Sequence, residues 1–245
     1  MKRFLCAALA LLMLTALAAC GSGSKDADAS AKNDPTAVPT AAPTPEPTPE
    51  PTAAPEETSA PGGAISGDEL FGTVSGDAYE NRFLGIGCRL PGWHYLSQEE
   101  IAEQYNLAKY ICSDDVTELL ENNPATTVMF ASSEDGQRNI NIQVQNLRLS
   151  FGGVYSEEQI LNIYVPMLEN MLTQAGYTDL SVERGTVRFL GSERSCITIT
   201  GKIYGIDIRQ KQLFIFRDKY ASFITFTGMS GTDVDDLIAA FYSIV

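Results

Sequence analysis

Residues 181–228, "SVERGTVRFLGSERSCITITGKIYGIDIRQKQLFIFRDKYASFITFTG", decide the fold. Four runs rich in β-branched and aromatic residues lie here, at 181–191, 192–202, 206–217 and 221–228, separated by breaks no longer than a turn. Breaks this short have no room for a crossover helix, so an antiparallel meander is the simplest connection.

Upstream, "SEEQILNIYVPMLENMLTQAG" (156–176) predicts the longest helix, opened by Ser156 with Gln159 and closed by Gly176. Its expected apolar stripe is Ile160, Ile163, Met167, Met171 and Ala175, with a kink at Pro166. Before it, "TTVMFASS" (126–133), the turn "EDGQ" with its Asp135-Gly136 pair, and "RNINIQVQNLRL" (138–149) read as a hairpin. Ile140, Ile142 and Val144 share one face of the second strand, while Leu147 and Leu149 fall on the other phase, which predicts a bulge near Gln145.

Further toward the N-terminus, "YENRFLG" (79–85) and "IGCRLP" (86–91) read as short strands. The helix "SQEEIAEQYNLA" (97–108) follows, with a Ser97/Glu100 capping box. A second short helix is expected at "SDDVTELLEN" (113–122), with Val116, Leu119 and Leu120 on one side. The last segment, "TDVDDLIAAFYSIV" (232–245), reads as a helix capped by Thr232, with Asp233, Asp235 and Asp236 at its positive end. The whole is an α+β domain built on a central antiparallel β-sheet flanked by helices.

The first residues give an address. "MKRFLCAALALLMLTALAAC" opens with Lys2 and Arg3 and then carries no charge to Cys20, a signal-peptide pattern shorter than a membrane span. Leu17-Ala18-Ala19-Cys20 resembles the lipobox of bacterial lipoproteins, which implies cleavage after residue 19 and a lipidated Cys20 at the new N-terminus. Two or three acyl chains at about 0.8 kcal/mol per buried methylene anchor stably where one does not. Residues 21–66 hold nine of the chain's 12 prolines, with Thr, Glu and Ala between them, and cannot bury enough apolar area to order themselves. In extended polyproline geometry they reach up to roughly 140 Å. The expected organisation is a signal peptide at 1–19, the lipidated Cys20 with a linker to 66, and a folded head at 67–245, carried on the outer face of the cytoplasmic membrane of a Gram-positive envelope.

Chemistry is hard to find in the head. A formal charge of -14 leaves no basic surface for phosphates, so nucleic acid is excluded as a partner. One histidine, His94, and no C-x-x-C pair speak against a metal site, and no G-x-S-x-G elbow presents a serine. "DVDD" (233–236) and "SSEDGQ" (132–137) lack the alternating calcium-ligand pattern and read as helix cap and hairpin turn. "GIGCRL" and "TGKIYG" are incomplete as phosphate-binding loops. No catalytic, cofactor-binding or metal residue is assigned, and no cofactor is expected. Cys88, Cys112 and Cys196 allow at most one disulfide, with nothing in the spacing to choose a pair.

The opening "YENRFLGIGCRLPGWHYLSQEEI" (79–101), the closing "DLIAAFYSIV" (236–245) and the order of elements resemble the PsbP-like fold family, which includes extrinsic photosystem subunits, a Ran-binding nuclear import factor and many bacterial lipoproteins. Asn81, Gly85 and Pro91-Gly92-Trp93 carry the likeness. It implies an α/β/α sandwich over about residues 79–245 and a role in protein–protein scaffolding, with no reaction attached. No functional residue of the photosystem or Ran-binding members matches a position here.

Trp93, the only tryptophan, is expected to pack on the core's edge after the Pro91-Gly92 turn, with His94 facing solvent. The leading expectation is a non-enzymatic binding or scaffolding module for an envelope protein or wall component. The alternatives are a solute-binding accessory lipoprotein for a transporter and a hydrolase using Cys88 or His94. Tyr155, Tyr204 and Tyr220, each beside a turn, are the first places to look for an exposed binding aromatic.

Overall fold

A computed structural model describes residues 65–105, 113–152, 156–217 and 219–244. The expected signal peptide, Cys20, the expected linker as far as residue 64, Cys112 and Tyr155 lie outside the described residues.

The helices are α1 (Gly67–Phe71), α2 (Gln98–Tyr105), α3 (Thr117–Asn122), α4 (Leu147–Phe151), α5 (Glu157–Gln174) and α6 (Asp235–Ile238). The strands are β1 (Thr73–Ser75), β2 (Ala78–Asn81), β3 (Ile86–Arg89), β4 (His94–Tyr95), β5 (Ala125–Ser132), β6 (Arg138–Asn146), β7 (Thr178–Phe189), β8 (Ser192–Ile203), β9 (Ile206–Arg217), β10 (Tyr220–Met229) and β11 (Phe241–Ser243). A seven-stranded sheet runs β4-β5-β6-β10-β9-β8-β7, and a four-stranded sheet runs β1-β2-β3-β11. Every pairing is antiparallel. The expected meander is β7 to β10, and β10 then closes against β6 with Phe223 opposite Gln143 on one side and Phe214 on the other.

Strand alternation gives the large sheet two unlike faces. On the first, Ile140, Ile142, Leu213, Ile224 and Phe226 join one apolar cluster with Leu70 and Phe71 of α1, Cys88 of β3, and Leu119 and Leu120 of α3. On the second, Ile197, Ile199, Phe214 and Phe223 pack with Ile160, Leu161, Tyr164, Leu168 and Leu172 of α5. The architecture is α+β around an antiparallel sheet. A long helix covers part of one face, and a second small sheet with short helices covers the other.

Several elements sit where the sequence places them. Ser97 and Glu100 make their capping box, with Ser97 N donating to Glu100 Oε2 at 2.8 Å and Glu100 N to Ser97 Oγ at 3.1 Å. Ser156 and Gln159 do the same at the start of α5. That helix ends as expected, since Gly176 has φ 91° and Tyr177 N reaches Leu172 O at 3.0 Å.

Other expectations are corrected. The buried stripe of α5 is Ile160, Leu161, Tyr164, Leu168 and Leu172, and Ile163 is exposed, because the larger and more apolar set faces the sheet. The helix continues through Pro166, which lies on its exposed side. The bulge is in β5, between Thr127 and Met129, instead of near Gln145. Leu147 changes phase because β6 gives way to α4, whose first turn is capped by Asn146 Oδ1 accepting from Arg148 N and Leu149 N. At the C-terminus the helix is a single turn whose N-cap is Val234 and not Thr232; just before it, Asp233 Oδ1 accepts from Val234 N and Asp235 N. The chain then extends as β11 beside β3, with Phe241 opposite Cys88 and its ring 5.6 Å from those of Phe189 and Phe226.

Candidate functional site

The site grows from the turn that ends β3. Leu90 N donates to Asp77 O at 2.8 Å, Gly92 takes φ 73°, and Trp93 N returns to Leu90 O at 3.2 Å. Only glycine adopts that backbone freely. The chain then enters β4, where His94 pairs with Ser132 and Tyr95 with Ala131. Neighbouring strand residues point to opposite faces. Tyr95 faces inward, its hydroxyl donating to Asp77 O at 3.1 Å and lying 3.7 Å from Cys88 Sγ. His94 faces away and is exposed. Trp93 packs against the first apolar cluster, as its reading as an anchor expects, with the Arg138 guanidinium 5.6 Å from its ring.

Arg138 comes from the β5–β6 hairpin, whose turn is built from the residues the sequence suggests. Ser133 Oγ accepts from Arg138 N at 2.9 Å, and Asp135 Oδ1 accepts from Ser133 Oγ at 2.6 Å and Gln137 N at 2.9 Å. These bonds hold the Asp135 carboxyl below the usual carboxylate range. Arg138 also pairs with Asp236 at 2.8 Å, so its charge is largely neutralised.

Between this hairpin and the turn before β4 lies a cavity of 440 Å³, with Trp93, His94, Phe130, Ser132, Glu134, Arg138 and Asn139 among its walls. The cavity brings together the only tryptophan and the only histidine of the chain. His94, Ser132 and Asn139 form one cross-strand row, continued by Thr227 and Gln210. The next row holds Phe130, Asn141, Thr225 and Gln212. Asn139 is 5% and Asn141 9% exposed, and neither side-chain amide has a hydrogen-bond partner among the described residues. Deeper in the same face, Gln145 Nε2 is buried without one. Gln145 Nε2 is the one of these amide atoms that is both buried and unpaired, while the Asn139 amide, without a protein partner, is open to the cavity it lines. The rows pass from there to Gln143, whose Nε2 reaches Thr127 Oγ1 at 3.4 Å, and to Gln212, which accepts from Tyr164 OH at 3.0 Å.

The other singled-out residues are placed as follows. Cys88 and Cys196 are free, buried thiols. Burial pushes the Cys88 thiol up to about 11 and raises that of Cys196 as well. The neighbour of Cys88 Sγ is the Tyr95 phenol, so the thiol and the His94 imidazole lie on opposite sides of β4. Tyr204 is 71% exposed at the β8–β9 turn, whereas Tyr220 is buried edge-on to Phe83 at 6.0 Å. The acidic stretch at 233–236 is engaged by Arg209, Lys211 and Arg138. Among the described residues no group of three or more His, Cys, Asp or Glu side chains could hold a metal.

The raised Cys88 thiol sets a pH dependence. Between the ordinary thiol value and about 11, the unfolded chain has lost this proton while the folded one keeps it, so stability falls as pH rises through that window. We expect Cys88 to contribute about 2 kcal/mol of the loss seen by urea denaturation between pH 9 and 11, added to the fall that the buried Tyr79, Tyr95, Tyr164 and Tyr177 phenols cause in the same direction; Cys88→Ala should lessen the total loss by that amount, and an equal loss in the parent and the variant would refute it.

No protein-family model matches the chain, and no curated protein matches it.

Proposed function

We propose that the chain is a non-enzymatic binding module, lipidated at Cys20 and held off the outer face of a Gram-positive cytoplasmic membrane by its proline-rich linker, and that its head engages an envelope protein or wall component through the cavity at Trp93 and His94. The observation that carries this reading is the cavity's wall, where an aromatic anchor and hydrogen-bonding side chains without internal partners converge on 440 Å³. The buried, protonated state of Cys88 supports binding over catalysis, because a thiol that ionises only near pH 11 is a poor nucleophile at neutral pH. A PsbP-like sandwich is part of the same reading, supported by α5 lying along one face of an antiparallel sheet. The cavity's volume also suits a small solute, which favours the transporter-accessory reading as the second possibility. No helix among the described residues is long and apolar enough to cross a membrane, so attachment in this proposal rests on the lipid alone.

Two measurements test it. Cys20→Ala is expected to move the protein from the membrane fraction of a Gram-positive host into the medium, and retention of the variant would refute the anchor. The full chain, titrated with solubilised envelope fractions, is expected to change the emission of Trp93, its only fluorophore of that kind. Turnover of a wall fraction that disappears in His94→Ala or Cys88→Ala would overturn the non-enzymatic reading.

A further inference from the structure

We infer that the ligand of this cavity is a neutral saccharide, bound with its hydroxyls on the His94–Ser132–Asn139 row and a ring face against Trp93 or Phe130. The inference rests on the reading of the head as a binding module and narrows it to a chemical class.

The row and its neighbour decide the class. Ser132 and Asn139, the members of the row that line the cavity beside His94, are neutral, and each of these two side chains both donates and accepts hydrogen bonds; Asn141, Thr225 and Thr227 continue the same neutral polar surface behind them. A sugar hydroxyl has the same dual character, so a polyol can satisfy both ends of each open amide where a purely anionic or cationic ligand satisfies one. Asn139 meets the ligand first: the residue is 5% exposed, lines the cavity, and has no side-chain hydrogen bond to another described residue. Its amide is therefore open to the cavity, where a ligand hydroxyl can take the place of water.

Charge points the same way. Arg138, the only fixed cation on the wall among the described residues, is already paired with Asp236, and Glu134 also lines the cavity. With a formal charge of -14 over the chain, an acidic or phosphorylated ligand meets net repulsion. Aromatic carbon at Trp93 and Phe130 supplies the apolar patch on which the C–H face of a pyranose ring rests, leaving its equatorial hydroxyls directed to the polar row.

Because Trp93 is the sole tryptophan and forms part of the wall, its emission reports occupancy directly. The experiment titrates the full-length protein, in zwitterionic micelles free of glycosidic detergent, with N,N′-diacetylchitobiose, cellotetraose and maltotetraose up to about 10 mM, a range that reveals even millimolar affinity. At least one saccharide is expected to shift the emission saturably, with binding about tenfold weaker in Asn139→Ala and several-fold weaker in His94→Ala. His94 is exposed, so its variant carries the test alone if Asn139→Ala does not fold. A saturable shift unchanged in these variants overturns the inference, because the sugar then sits elsewhere. Silence toward every saccharide, with a shift produced by an envelope protein or peptide fraction, overturns the ligand class and leaves the binding module standing. Silence toward all of them overturns both.

Discussion

Replacing Tyr164 by alanine is expected to cost about 4 kcal/mol, a quarter or more of the stability of an ordinary domain. The side chain is 0% exposed and lies at the centre of the helix-covered face of the large sheet. Its ring meets Phe223 at 5.0 Å, Phe214 at 5.9 Å and Phe151 at 6.5 Å, all edge-on, which is the arrangement aromatic quadrupoles favour. Alanine removes the contact that fixes α5 over β9 and β10 and opens a void among rings that cannot easily collapse. Tyr164→Phe separates the ring from its hydroxyl. It strands Gln212 Oε1, now 3.0 Å from the phenol, and should cost about 1 to 2 kcal/mol. Urea denaturation of the two variants checks both figures. An alanine cost no larger than the phenylalanine cost would mean that α5 is not anchored here.

The second large effect is at Gly228, near the end of β10. Its φ is ordinary, so any amino acid could adopt the backbone, and the constraint is space. A Cβ here would overlap the carbonyl oxygen of Thr232 and come within 3.1 Å of that residue's carbonyl carbon and of Val234 Cγ1. The chain has just reversed through Ser230 and Gly231, with Ser230 N on Asp207 O at 2.8 Å and Thr232 N on Met229 O at 3.0 Å, so the obstructing atoms are backbone held by hydrogen bonds. Gly228→Ala should therefore lie at the upper end of overpacking costs, about 3 kcal/mol, and lower Tm by about 6 to 12 °C. Gly185→Ala is the control. That glycine sits in β7 with nothing within 4 Å of an added Cβ, and its substitution should leave Tm nearly unchanged.

The meander was legible because its four strands are long and its breaks too short for anything but hairpins, so local pattern and global topology agree. The phase of α5 was not. Ile160, Leu161, Ile163, Tyr164, Val165, Met167 and Leu168 make most of its circumference apolar, and two stripes offset by one residue compete. Contact with Phe214 and Phe223 decides for the stripe with Tyr164. The segment 239–244 has helix-compatible residues, but pairing with β3 and the pocket for Phe241 between Phe189 and Phe226 override that local preference.

The site was legible only in part. Trp93 and His94 stand out by rarity, and reading Trp93 as an anchor was sound, since it packs on the core's edge. That the same indole forms one wall of a cavity depends on the β5–β6 hairpin swinging beside it, which no local pattern reveals. Asn139, Asn141 and Gln145 were passed over because alternating polar residues beside Ile140, Ile142 and Val144 look like the wet side of a half-covered strand. Their burial is a property of the tertiary fold, and so is their lack of partners.

The pairing of β11 with β3 ties Phe241–Ser243 to Ile86–Cys88, two segments far apart in the chain. Until Phe241–Ser243 dock on Ile86–Cys88, the small sheet stays one strand short and the ring slot between Phe189 and Phe226 stays empty, so this closure carries a large loop entropy and belongs late in folding. Loss of that docking would uncover the edge of β3 and the Phe189–Phe226 slot together while leaving the ladder of the large sheet intact.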